Sequence, residues 1–96
     1  MLERVVEAHL CKRVREMGGE VRKVQWIGRH SAPDRLVMLP TDGSIWKGTN
    51  TIWVELKRPG QKANPAQLRE HSRMRAFGQR VEVIDSIDAV EALLNA

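Results

Sequence analysis

The chain has 96 residues, with 16 Lys+Arg, 12 Asp+Glu, three His and a formal charge of +4; that length sets one domain, spanning 1–96, whose small core would gain from a partner chain. Apolar residues at 42% and charged residues at 29% exclude a largely disordered chain, and no run approaches the ~20 apolar residues of a membrane helix. The acidic start, MLERVVEAHLCKR, is not that of a secretory signal, and the single cysteine, Cys11, fits a reducing cytosol.

Leu2, Val6, Leu10, Val14 and Met17 recur at helical spacing, and Gly18-Gly19 stops them, so a first helix is expected over residues 2–17. Glu3 and Glu7 lie one turn apart on it. Val21 to Ile27 reads as a strand, Gly28 to Pro33 as a loop, and Arg35 to Leu39 as a short strand covered on both faces. Pro40, Asp42 and Gly43 make a turn. Thr51 to Lys57 is the clearest strand, ended by Pro59-Gly60. Asn64 caps a second helix with Pro65 at its first position, running to about Phe77 with Gly78 as C-cap. Its large apolar residues are few (Leu68, Met74, Phe77), which leaves one broad face wet or bound to something. Val81, Val83 and Ile84 form a last strand. Asp85 or Ser86 caps a short helix with Ile87, Val90, Leu93 and Leu94 inward. The order αβββαβα, with a helix between the third and fourth strands, predicts an α/β fold with a mixed sheet and helices on its faces.

Charge is unevenly spread. From Lys57 to Arg80 there are seven bases and one acid, Glu70, whereas the tail from Val81 holds four acids and no base. A second basic stretch runs from Lys12 to Arg35. This distribution permits a polyanionic partner without requiring one.

In the Thr51–Lys57 strand, alternation puts Ile52, Val54 and Leu56 on one face and Trp53, Glu55 and Lys57 on the other. If that strand and the one begun by Pro33-Asp34 form an antiparallel hairpin, Asp34 lies near Glu55. Two carboxylates then converge with a lysine beside them. Such a set serves a hard divalent cation, with the Leu56 carbonyl as a further oxygen and Lys57 to hold or deprotonate a water and stabilise charge on a phosphorane. The same residue types also make an ordinary surface ion pair worth ~0–1 kcal/mol. Two features favour the site: Pro33 fixes the backbone before Asp34, and Glu55 and Lys57 interrupt a strongly apolar strand.

Pro33-Asp34, a spacer, then Glu55-Leu56-Lys57 resembles the PD-(D/E)XK nuclease signature. Together with Glu7, Gly18-Gly19, Ala32 to Val37, Trp53 to Gly60, Gln67 and Gly78, the chain from about Glu3 to Ile87 resembles a stand-alone VRR-NUC domain of the phage type. The resemblance implies a restriction-endonuclease-like core and a Mg²⁺- or Mn²⁺-dependent DNA endonuclease. It makes Asp34, Glu55, the Leu56 main-chain oxygen and Glu7 the metal set, with Glu3 as the alternative helix acid. Lys57 is then the catalytic lysine, and Gln67 orients it or a water. The resemblance further implies a homodimer acting on branched or Holliday-junction DNA, as in repair, inside a bacterial or phage-infected cytoplasm. Arg29, Arg35, Arg58, Lys62, Arg69 and Arg73 are candidates for backbone contacts. The family usually has Gly where this chain has Ser31, and the hairpin between Pro40 and Thr51 is variable. The alternatives are a non-catalytic DNA-binding module of the same fold and a nuclease for nicked, flapped or linear DNA. His30 and His71 read as solvent-facing. Trp26, Trp46 and Trp53 can stack on bases, but core or interface packing is the expectation for them.

Overall fold

A computed structural model describes residues 2–40 and 50–95. The elements follow in the order α1 (Glu3–Glu16), β1 (Glu20–Lys23), β2 (Arg35–Met38), β3 (Thr51–Leu56), α2 (Pro65–Ala76), β4 (Val81–Ile84) and α3 (Ile87–Leu94). This is the αβββαβα order that the sequence predicts. The turn at Asp42-Gly43 and Trp46 lie outside the described residues.

The four strands form one sheet in the order β1-β2-β3-β4. The first three pair antiparallel, and β4 runs parallel to β3 after the α2 crossover. The sheet is therefore mixed. Period-two alternation in β3 decides what each face holds. Ile52, Val54 and Leu56 enter the main core with Val37, Ile84, the α1 residues Val6, Leu10 and Val14, and the α3 residues Val90 and Leu94. The other face of β3 is turned toward α2. His9 and Arg13 of α1 both bond Glu91 of α3, which joins the two helices of the core side.

The stops are local. α1 ends where Gly18 takes a positive φ of 85°. The Gly18 and Gly19 amides then donate to the Arg15 and Val14 carbonyls, satisfying groups that a helix end leaves open. At Gly19 a side chain has no room, because a Cβ would come within 2.3 Å of the Met38 carbonyl oxygen. α2 starts as the sequence predicts, with Asn64 and Gln67 bonding each other's backbone amides in a capping box.

Two differences matter for function. β1 ends at Lys23 rather than Ile27. The Val24 amide still bonds the Asp34 carbonyl, but the Trp26 indole N–H reaches across to the Pro33 carbonyl at 2.7 Å, which folds the following loop over toward β2. The second difference is the inward stripe of α2. Glu70, His71 and Met74 are buried, whereas Leu68 is 51% and Phe77 81% exposed. Two of the three large apolar residues thus face out, and an ionisable pair faces in. That pair is held by charge and shape rather than by hydrophobicity, which is why hydrophobic spacing does not reveal it.

Candidate active site

The site grows out of the β2–β3 pairing. Arg35 stands opposite Val54 in the antiparallel register, so the next step outward sets Asp34 opposite Glu55. Pro33 is buried and its carbonyl is fixed by Trp26, so the backbone entering Asp34 is held from both sides. Ser31, two residues earlier, has a φ of 67°. A serine thus adopts the left-handed backbone region that glycine occupies without cost.

Glu55 is 8% exposed, and its Oε1 has no hydrogen-bond partner among the described residues. Burial pushes its carboxyl up to about 7; the Lys57 charge opposes this, while Asp34 and Glu3 add repulsion. Asp34 is felt at Glu55 electrostatically, as the register requires. Lys57 follows on the same strand, half-buried, with its amide bonded to the Ile84 carbonyl. Glu55, Asp34 and Lys57 are thus brought together at one end of the central strands.

His71 corrects the expectation of a solvent-facing side chain. It is completely buried, with Nε2 3.5 Å from Glu55 Oε1, and neither ring nitrogen makes a hydrogen bond within the described residues. Burial, then Arg75, holds its pKa below the ordinary histidine value. The only sequence signal for it is position: residues 67, 70, 71 and 74 share one helical face.

The helix acids divide. Glu7 is engaged by the guanidinium of Arg35, which also bonds Asp34 Oδ2 at 2.9 Å. Glu3 is exposed, and its charge is felt at Glu55. Arg35 itself is 8% exposed. Its partners in the structure are the carboxylates of Glu7 and Asp34, so it braces Asp34 against α1. The Gln67 side-chain oxygen accepts from the Asn64 amide, and no hydrogen bond from Gln67 to Lys57 is seen among the described residues. Arg58, Lys62 and Arg69 are exposed around the start of α2. Arg29 and Arg73 clasp Glu70, at 2.6 and 2.5 Å, with their side chains still about half exposed.

The donor set fits a hard cation. Asp34 and Glu55 offer carboxylate oxygens, one of them buried without a hydrogen-bond partner among the described residues, and the Leu56 main-chain carbonyl is next in the chain after Glu55. Among the described residues no three His, Cys, Asp or Glu side chains form a closed ligand cluster. Mg²⁺ commonly takes just one or two carboxylates and completes its octahedron with water and phosphate oxygens.

No family model matches the sequence. "Putative nuclease p44" of Acyrthosiphon pisum secondary endosymbiont phage 1 is 48% identical over 83 residues, covering 86% of this chain and 82% of that protein. A solved structure described as "VRR_NUC domain" matches with a TM-score of 0.80 and 37% identity, over 97% of this chain and 94% of the other.

Proposed function

The chain belongs to the VRR-NUC family of nucleases, and from that premise we propose that it hydrolyses DNA phosphodiester bonds at the Asp34–Glu55–Lys57 cluster with Mg²⁺ or Mn²⁺. The observation that carries the reading is the buried Glu55, its Oε1 without a hydrogen bond among the described residues, on a strand whose register sets the residue opposite Asp34. A buried carboxylate short of hydrogen bonds is costly to a fold, and a cation held between it and Asp34 would offset that cost.

Asp34 and Glu55, with the Leu56 carbonyl, would hold the ion. Glu3 is the nearer helix acid by charge, while Glu7 serves through Arg35, which keeps Asp34 aimed. When bound, the ion supplies Lewis-acid polarisation of the phosphate and a water of lowered pKa. Lys57 stands beside the scissile phosphate, where its ammonium holds the attacking water and stabilises the charge that develops on the phosphorane oxygens. His71, fully buried with Nε2 3.5 Å from Glu55 Oε1, closes that side of the carboxylate against solvent. Arg58, Lys62 and Arg69 face the backbone of the bound strand and supply affinity without reading sequence.

The finer reading is a homodimer acting on branched or junction DNA. It is supported by the family and by a small core with several exposed apolar side chains, Ile27 at 97% among them. Cleavage of a panel of labelled linear, nicked, flapped and four-way-junction DNAs with Mg²⁺ or Mn²⁺ tests it. Wild type is expected to cut at least one branched substrate, and Lys57→Ala to lose about a hundredfold or more of that rate. Cutting of none, or undiminished cutting by Lys57→Ala, overturns the reading.

A further inference from the structure

On the α2 side of β3 lies a slot of about 290 Å³ lined by Trp26, Trp53, Met74, Phe77 and Gln79 and by the ion cluster of Arg29, Arg73 and Glu70. The two indoles are fixed: their ring centroids are 5.2 Å apart at 46°. Each indole N–H is anchored, on the Pro33 carbonyl and on Gln79 Oε1, so the slot presents ring surface rather than donors. Phe77, 81% exposed at the end of α2, closes one side while touching little of the core.

Arg29 and Arg73 also line the neighbouring cleft of about 300 Å³, which holds His30 and Arg69 and no acid. Glu70, 3% exposed below them, fixes both guanidiniums through four contacts of 2.5 to 3.1 Å. An aromatic slot and a cationic cleft therefore share two rigidly held arginines. That is the pattern of a single nucleotide, with its base on the rings and its phosphate on the guanidiniums.

We propose that this pair of clefts binds one unpaired nucleotide of the DNA substrate, its base stacked between the tryptophans and Phe77. Paired bases cannot enter, because their faces are covered by their neighbours, whereas a base in a single strand, flap or branch point can. Trp53 is two residues from Glu55 on the same face of β3, about 7 Å along the strand. The slot therefore adjoins the cluster that cuts. The charge complementarity of Arg29, Arg69 and Arg73 favours this occupant over a second copy of a chain that is itself basic. The inference rests on the nuclease reading only in taking DNA as the ligand.

The test is fluorescence anisotropy of a labelled thymidine oligonucleotide and of a duplex of equal length, in EDTA so that nothing is cut. Phe77→Ala is expected to weaken oligonucleotide binding about fivefold or more and duplex binding less than about twofold, with Phe77→Tyr restoring it. Arg69→Gln should lower the salt dependence of single-strand binding by about 0.7 in log–log slope. Phe77→Ala that weakens both DNAs equally, or neither, overturns the proposal. So does a mass by light scattering that falls from dimer to monomer in Phe77→Ala, which assigns the slot to a second copy. A protein that cuts no DNA yet shows this selectivity overturns the nuclease reading alone. A protein that cuts DNA but is indifferent to Phe77→Ala overturns the nucleotide slot alone.

Discussion

Two buried glutamates lie on the α2 side of the sheet, and the fold treats them in opposite ways. Glu70 receives two arginines, and their hydrogen bonds hold its carboxyl down at about 2. Glu55 receives the buried His71 at 3.5 Å and no hydrogen bond to Oε1, and burial holds its carboxyl up at about 7. Their exposures are similar, at 3% and 8%, but Glu70 is covered by the two half-exposed arginines that bond it, whereas Glu55 is walled by the interior and burial is the main cause of its shift. A carboxylate given all its bonds by the protein is part of the structure, whereas one denied them is available to a ligand.

Substituting Glu70 should produce the largest loss of stability. Glu70→Gln leaves two half-exposed guanidiniums facing an amide, and the unfolding midpoint is expected to fall by about 5 °C, on the order of 1 kcal/mol after solvent screening. The pH sign follows from a depressed folded pKa. The contribution of Glu70 is complete above the unfolded value of about 4.5 and is lost as pH falls through about 2. Thermal melts at pH 7 and pH 2.5 should show the gap between wild type and Glu70→Gln narrowing in acid. A gap that does not change with pH makes Glu70 a packing residue only.

Glu55→Gln should do the reverse. Its folded pKa is raised, so in metal-free protein the folded state holds a proton that the unfolded state has released between about 4.5 and about 7. Stability falls across that window and is lowest above it. Glu55→Gln is therefore expected to be more stable than wild type at pH 8, by on the order of 3 kcal/mol, and equal to it near pH 4.5. Urea unfolding in EDTA at the two pH values measures this. A variant less stable at pH 8 would place Glu55 with Glu70 as a structural group.

The smallest effect belongs to the loop that carries Asp34. Ser31 holds a φ of 67°, so Ser31→Gly should raise stability by about 1 kcal/mol if relief of strain outweighs the added freedom of the unfolded chain. Urea unfolding again reads it, and a destabilised variant would show that Ser31 is held by more than backbone shape.

Residue types made some of this legible and hid the rest. The alternation of Ile52, Val54 and Leu56 against Trp53, Glu55 and Lys57 is explicit in the sequence, and so is Pro33-Asp34 ahead of an apolar run. Together they place the cluster once the strands pair. Asn64-x-x-Gln67 is a capping box on its own terms, which competes with the role that resemblance assigns to Gln67. Glu70 and His71 were not legible. A helix face built of Gln, Glu, His and Met reads as polar and wet, and only the arginines from a distant loop and from the next turn make its burial affordable. Arg35 was hidden for the same reason, because its two carboxylates come from different elements, α1 and the residue before β2.

The central proposal is that a divalent cation completes the bonds that Glu55 lacks. The most direct measurement is the unfolding midpoint at pH 8 of wild type and Glu55→Gln, each with EDTA and with millimolar Mn²⁺. Mn²⁺ is expected to raise the wild-type midpoint, by mass action on the folded state, and to leave Glu55→Gln where EDTA left it. A wild-type midpoint indifferent to Mn²⁺, or an equal rise in both proteins, would contradict the account.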